Sequence, residues 1–122
     1  MTTFHRRTVL AVASLAVAGA TLSALAGRSQ GQVREFSVSG RDYAFSPGRI
    51  EVQKDDLVKV TFTARDIAHS FTIDGYRISK RAGPQQSVVF EFRADQTGTF
   101  PFYCNLTQDP KCREMRGELV VR

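Results

Sequence analysis

The chain has 122 residues, with Lys+Arg 17 against Asp+Glu 12, a formal charge of +5, two Cys, two His, nine Phe and no Trp. That length holds one small domain, and neither GxGxxG nor GxxxxGK[ST] occurs, so dinucleotide and nucleoside-triphosphate folds are excluded. No run of Lys and Arg could neutralise several phosphates in a row, so the mild positive charge does not point to nucleic acid.

Residues 9–26 carry no charge, follow His5-Arg6-Arg7, and end in the small residues of Ala24-Leu25-Ala26. Charged, then apolar, then small is the order of an export signal, assigned to 1–26. The Arg6-Arg7 pair followed by Thr8-Val9-Leu10 resembles a twin-arginine signal. An uncleaved anchor is the other reading, since about 18 apolar residues is near the lower limit for crossing a bilayer. Much of the run is Ala, Gly, Ser and Thr, which makes it a weak span. Removing 1–26 takes away Arg6 and Arg7 and no acid, so the remainder is less basic than the whole chain. On either reading the globular part is periplasmic or otherwise exported, where disulfides form and copper is a realistic partner. Residues 27–32 (GRSQGQ) read as a flexible leader.

From residue 33 to the end, short runs rich in Val, Ile, Phe and Thr alternate with turn residues, and no helical apolar stripe occurs. Strands are predicted at 33–39, 49–54, 57–64, 70–73, 87–93, 99–104 and 117–121. They are separated by turn signals such as Ser46-Pro47-Gly48, Asp74-Gly75 and Thr97-Gly98. Parity supports half-buried strands: Val58, Val60 and Phe62 share one face, opposite Lys59, Thr61 and Thr63. The predicted fold class is all-β, a Greek-key two-sheet sandwich over 33–122.

Few residues in this part can carry chemistry: His69, Cys104, Cys112 and Met115. His69 shares parity with Phe71 and Ile73 and should face inward at a strand start. Cys104 shares parity with Phe100 and Phe102 and should face inward at a strand end. Cys112 and Met115 lie on the short loop before the last strand. Imidazole, thiolate and thioether together suit a soft or borderline metal, with copper the first candidate and zinc acceptable to the Cys, Cys, His subset. Two cysteines in an exported chain can equally form a disulfide, which would take both thiolates from a metal. No Ser-His-Asp or Cys-His triad can be assembled, so an enzyme is not expected; Asp66 and Asp109 read as turn residues. Lys111, Arg113 and Arg116 surround the loop, and Arg77, Lys80 and Arg81 are candidates to lie near it. They form either a rim that would steer an acidic partner or ordinary solvated surface.

Five segments resemble the cupredoxins, the copper-binding sandwich family. They are Phe45-Ser46-Pro47-Gly48-Arg49-Ile50-Glu51-Val52, Asp55-Asp56-Leu57-Val58, Asp66-Ile67-Ala68-His69-Ser70-Phe71-Thr72-Ile73, Gly98-Thr99-Phe100-Pro101-Phe102-Tyr103-Cys104 and Met115-Arg116-Gly117-Glu118-Leu119-Val120-Val121. The loop length is similar to that of the dinuclear copper-A domain of cytochrome oxidase subunit II and nitrous-oxide reductase, with its pattern Cys, three residues, Cys, three residues, His, two residues, Met. Laid on this chain, that pattern falls on Cys104, Gln108, Cys112 and Met115, so the spacing is kept and two ligands are changed. The resemblance implies one copper ion at a mononuclear site of His69, Cys104, Cys112 and Met115, with Gln108 a conceivable oxygen donor. It implies electron transfer or Cu(I) holding and delivery to a redox or copper-transfer protein, by a monomer. Cys104 would make the strong bond, His69 give the nitrogen, Met115 a weak axial bond, and Cys112 a second sulfur favouring Cu(I). The competing reading is a metal-free structural or interaction module with a Cys104–Cys112 disulfide.

Overall fold

A computed structural model describes residues 31–122; the expected export signal lies outside them. Nine strands form two sheets: β1 (Val33–Arg41), β2 (Ala44–Ser46), β3 (Arg49–Val52), β4 (Leu57–Ala64), β5 (His69–Ile73), β6 (Ile78–Ala82), β7 (Ser87–Arg93), β8 (Gly98–Tyr103) and β9 (Arg116–Val121). The sheet orders are β2-β1-β4-β7 and β3-β9-β8-β5-β6. Pairing is antiparallel except for β1 with β4 and β3 with β9, which are parallel. The all-β sandwich is as predicted. Among the described residues, no helix is long and apolar enough to cross a membrane.

The alternation read from the sequence is the burial pattern found. In β4, Val58, Val60, Phe62 and Ala64 are buried, while Lys59, Thr61 and Thr63 stand on the outer side. The inner faces enclose an aromatic core in which Phe45 and Phe71 each pack on Phe62 and Phe102, with Phe71 and Phe102 stacked at 4.6 Å between centroids. Phenyl rings fill this space without needing hydrogen-bond partners, so the core carries no unpaired polar atom from its largest side chains.

Two strands were not predicted. β2 has three residues, too few for any periodicity to appear. β6 (ISKRA) is a polar edge strand in which only Ala82 is buried, and it is held by its ladder to β5. That strand is also unusual. Every residue of β5 is buried, because its outward Ser70 and Thr72 are covered by bonds to Asn105 and Ser79.

The leader expected over 27–32 is tied down at its end. Gln32 donates its N–H to Asp56 Oδ1 at 2.9 Å and accepts from Leu57 N at 2.9 Å. The buried Asp56 carboxylate also accepts from Gln53 N at 2.9 Å and lies 3.5 Å from Arg34. The Gln32 bond, followed by those from Gln53 and Arg34, holds this carboxyl below its ordinary value of 3.8 against the opposing effect of burial. Its stabilising contribution is therefore complete above the ordinary carboxylate range and is lost as pH falls below it. Asp56→Ala, which orphans two backbone N–H groups, should cost about 2 kcal/mol near neutrality. Urea midpoints measured at pH 6 and pH 3 should converge between wild type and variant at the lower pH.

Candidate metal centre

His69 opens β5 and is fully buried. Its Nε2 lies 2.7 Å from Asp66 Oδ1, three residues earlier in the β4–β5 connection. Burial pushes Asp66 up, but the N–H of Asp42, the His69 ring and the N–H of Ile67 outweigh it and hold the carboxyl at about 2. At neutral pH Asp66 is an ionised, acceptor-only group, so Nε2 must carry the proton of that bond. In the neutral imidazole the lone pair then sits on Nδ1. That nitrogen is buried and has no hydrogen-bond partner. A carboxylate on one ring nitrogen and an open lone pair on the other is the arrangement of a metal-binding histidine, oriented from behind.

The other three residues are gathered by the sheet containing β5, β8 and β9. β5 and β8 are neighbours, paired at Thr72 with Tyr103. This brings Cys104, just past β8, beside the start of β5, where Ser70 N donates to Cys104 Sγ at 3.3 Å. Ser70 Oγ and Asn105 exchange two further bonds and lock the two segments together. Chain reversal after β8 is made by a 3₁₀ turn at Pro110–Glu114, capped by Asp109, whose side chain accepts from Lys111 N. Pro110 suits the first position of that turn, where no N–H is needed. The turn returns Cys112 and Met115 to the interior, and both are buried.

Cys104 and Cys112 are joined in a disulfide, which was the competing arrangement in the sequence. No free cysteine is present among the described residues, and no group of three or more His, Cys, Asp or Glu side chains is arranged there to hold a metal ion. With the bridge closed, the candidate donors are the His69 nitrogen and the Met115 thioether; reduction would add two thiolates. The fit to copper therefore depends on the oxidation state of the sulfurs. Gln108 is exposed and does not join this set.

His69 and Met115 approach one another across Gly40 of β1. A Cβ at position 40 would lie 3.2 Å from His69 Cδ2, 3.2 Å from Phe62 Cζ and 3.3 Å from Met115 Cε. Glycine thus makes room for the Cδ2 edge of the imidazole and the terminal methyl of Met115. Its carbonyl is engaged, accepting from Arg65 N.

Other residues at this end were not assigned a role by the sequence. Tyr43 packs edge-on against the His69 ring, and its hydroxyl donates to Asp109 Oδ2 at 2.5 Å. That bond is the main reason the tyrosine is raised and the aspartate lowered. Asp109 is a turn residue, as read, and also a tether between the 3₁₀ turn and the segment after β1. Asp66, likewise read as a turn residue, positions the imidazole. Its i, i+3 spacing from His69 was a usable signal, whereas nothing local foretold Tyr43 meeting Asp109 across 66 residues.

The basic residues are divided. Lys111 lies over the Tyr43 ring and Arg116 over Tyr103. Arg81, paired with Ser70, is near the same end, but Arg77 lies beyond Ile78, which pairs with Ile73 at the opposite end of β5. Lys111, Arg113, Arg116 and Arg81 therefore lie toward the candidate centre, Lys80 pairs with Phe71 in the middle of β5, and Arg77 is at the far end.

A family model described as "Cupredoxin-like domain" matches residues 9–121. Among solved structures, auracyanin A, a "blue" copper protein of Chloroflexus aurantiacus, superposes with a TM-score of 0.63 at 15% identity, over 74% of this chain and 99% of that one. The metal-binding domain of the Cu(I)-exporting P-type ATPase CopA of Streptococcus pneumoniae, solved with Cu(I), gives 0.63 at 15% identity over 78% and 91%. The periplasmic domain of cytochrome oxidase subunit II (CoxB) of Bradyrhizobium japonicum gives 0.63 at 16% over 72% and 83%. At these identities the structural likeness is one of fold. Gly40→Val should force Met115 or the imidazole aside and cost about 1–3 kcal/mol, read from the urea midpoint. An unchanged midpoint would mean that the space beside Gly40 is not limiting.

Proposed function

Because the chain belongs to the cupredoxin-like domain family, we propose that it is an exported copper-binding protein that holds and delivers Cu(I) when Cys104 and Cys112 are reduced. The observation that carries the reading is His69 Nδ1, buried and unpartnered while Asp66 holds the opposite ring nitrogen. Leaving a buried polar atom unsatisfied costs on the order of 1–3 kcal/mol, which a ligand on that atom would recover. His69 Nδ1, Cys104, Cys112 and Met115 would hold the ion, and a donor set with two sulfur anions and a thioether favours Cu(I) over Cu(II). Bound copper would supply one-electron chemistry or, if the site is tuned to Cu(I), a transferable cargo.

The protein's own groups have separable tasks. Asp66 fixes the imidazole tautomer, Ser70 N–H stabilises charge on Cys104, and the aromatic core keeps water away. Lys111, Arg113, Arg116 and Arg81 would favour a partner with an acidic docking face. The N-terminal Arg6-Arg7 and apolar run support export to the periplasm or beyond. This is the profile of a carrier, not an enzyme.

The disulfide favours a second reading, a metal-free module in which the bridge pins the last loop. The two separate on titrating reduced, metal-stripped protein anaerobically with Cu(I), Cu(II) and Zn²⁺. The proposal expects one equivalent of Cu(I), weakened at least about 100-fold, or roughly 2.7 kcal/mol, in His69→Ala and in Cys104→Ser. Binding unaltered in both variants would overturn it. A strong visible thiolate-to-Cu(II) band with a reversible couple would identify an electron carrier, and its absence with tight Cu(I) binding a copper carrier.

A further inference from the structure

Building on the copper-binding reading, we propose that the Cys104–Cys112 disulfide is a redox gate on that site, opened by a dithiol that attacks Cys112. Three observations carry this. The bridge joins the two sulfur donors themselves, at the end of the sandwich where His69 and Met115 are also buried. It closes a loop with a sequence separation of only 8, and short loops gain less from cross-linking than long ones. The sandwich moreover has an extensive aromatic core of its own, unlike small domains that need disulfides in place of a core.

The two sulfurs are unequal. Cys104 follows a paired strand, and its Sγ accepts the Ser70 N–H at 3.3 Å, so a departing anion on this sulfur is stabilised. Cys112 sits in the 3₁₀ turn, between exposed Lys111 and Arg113. The backbone bonds within that turn are local: Cys112 N to Asp109 O and Met115 N to Cys112 O. The Tyr43 to Asp109 bond fastens the turn to the rest of the domain. Both sulfurs are buried, so the turn must lift before a reductant can reach them; releasing the Tyr43 tether is the local opening that exposes Cys112.

The exchange balances. A thiolate of the external dithiol attacks Cys112 Sγ, the bond between Cys112 and Cys104 breaks, and Cys104 leaves as the thiolate that receives the Ser70 N–H. The second thiol of the reductant then attacks the mixed disulfide and releases Cys112. Two electrons and two protons pass from the dithiol, which becomes a disulfide, to the pair, which becomes two thiols. Both protons are given up when the thiolates bind a metal. Closed, the gate leaves one imidazole nitrogen and one thioether; open, it presents all four donors.

The test compares the full chain, oxidised and after anaerobic reduction with dithiothreitol, by competition for Cu(I) against a coloured Cu(I) chelator. Reduction should strengthen Cu(I) binding at least about 100-fold and release two thiols. Equal binding by both forms would overturn the gate and leave the copper reading standing; no binding by either would overturn both. Cys112→Ser, checked for folding by circular dichroism, lacks one donor and should bind Cu(I) more weakly than the reduced wild type, but with an affinity that prior treatment with dithiothreitol leaves unchanged; a persisting requirement for the dithiol would contradict the gate. Tyr43→Phe should speed reduction of the native protein by about tenfold, the loss of one charge-assisted bond; an unchanged rate would contradict lifting of the turn. Mass mapping after a brief pulse of glutathione should find the adduct on Cys112, and an adduct on Cys104 would overturn the assigned order of attack.

Discussion

An ionised carboxylate holding one nitrogen of a fully buried imidazole is the constraint from which the site follows. Asp66 accepts the hydrogen bond of His69 Nε2–H, and the buried Nδ1 has no protein partner. A ring buried only for packing would be expected to satisfy both nitrogens, because an orphaned buried acceptor is costly in a low-dielectric interior. Here the fold commits one side of the ring and keeps the other open. It also places the ring and Met115 on the same glycine, Gly40, and the backbone N–H of the following residue, Ser70, on the Cys104 sulfur.

The sandwich makes this arrangement affordable by fixing its parts from different directions. β5 contributes His69, the end of β8 contributes Cys104, and the turn before β9 contributes Cys112 and Met115. Gly40 on the other sheet leaves room between His69 and Met115. None of these segments holds the geometry alone; the sheet ladder, the Ser70–Asn105 bonds and the aromatic core set their relative positions. The sulfurs are the element whose covalent state can change without rearranging the sheets. On the proposed reading, the disulfide and a copper role would be two oxidation states of one site.

Much of this was legible in the sequence wherever burial imposes a period. The predicted bounds of β4 and β7 coincide with those found, because one face of each lies on the core and the other on solvent. Inward placement of His69 and Cys104 followed from parity with neighbouring phenylalanines. β6 was not legible because an edge strand can be polar on both faces and still be held by its neighbour's ladder, and β2 was too short to show a pattern. The return of Cys112 and Met115 to the interior could be suspected from loop length. The choice between two thiols and a bridge could not be, since both states need the sulfurs close together. Tyr43 was invisible because its bond to Asp109 depends on two distant loops meeting.

The central claim is that His69 Nδ1 is an open donor reserved for a metal, and nitrogen-15 NMR of the histidine ring in reduced full-length protein tests it most directly. The account predicts a proton on Nε2 at neutral pH, an unprotonated Nδ1, and a selective shift of the Nδ1 resonance on adding one equivalent of Cu(I) while Nε2 keeps its proton. A proton found on Nδ1, or an Nδ1 resonance indifferent to Cu(I), would contradict it.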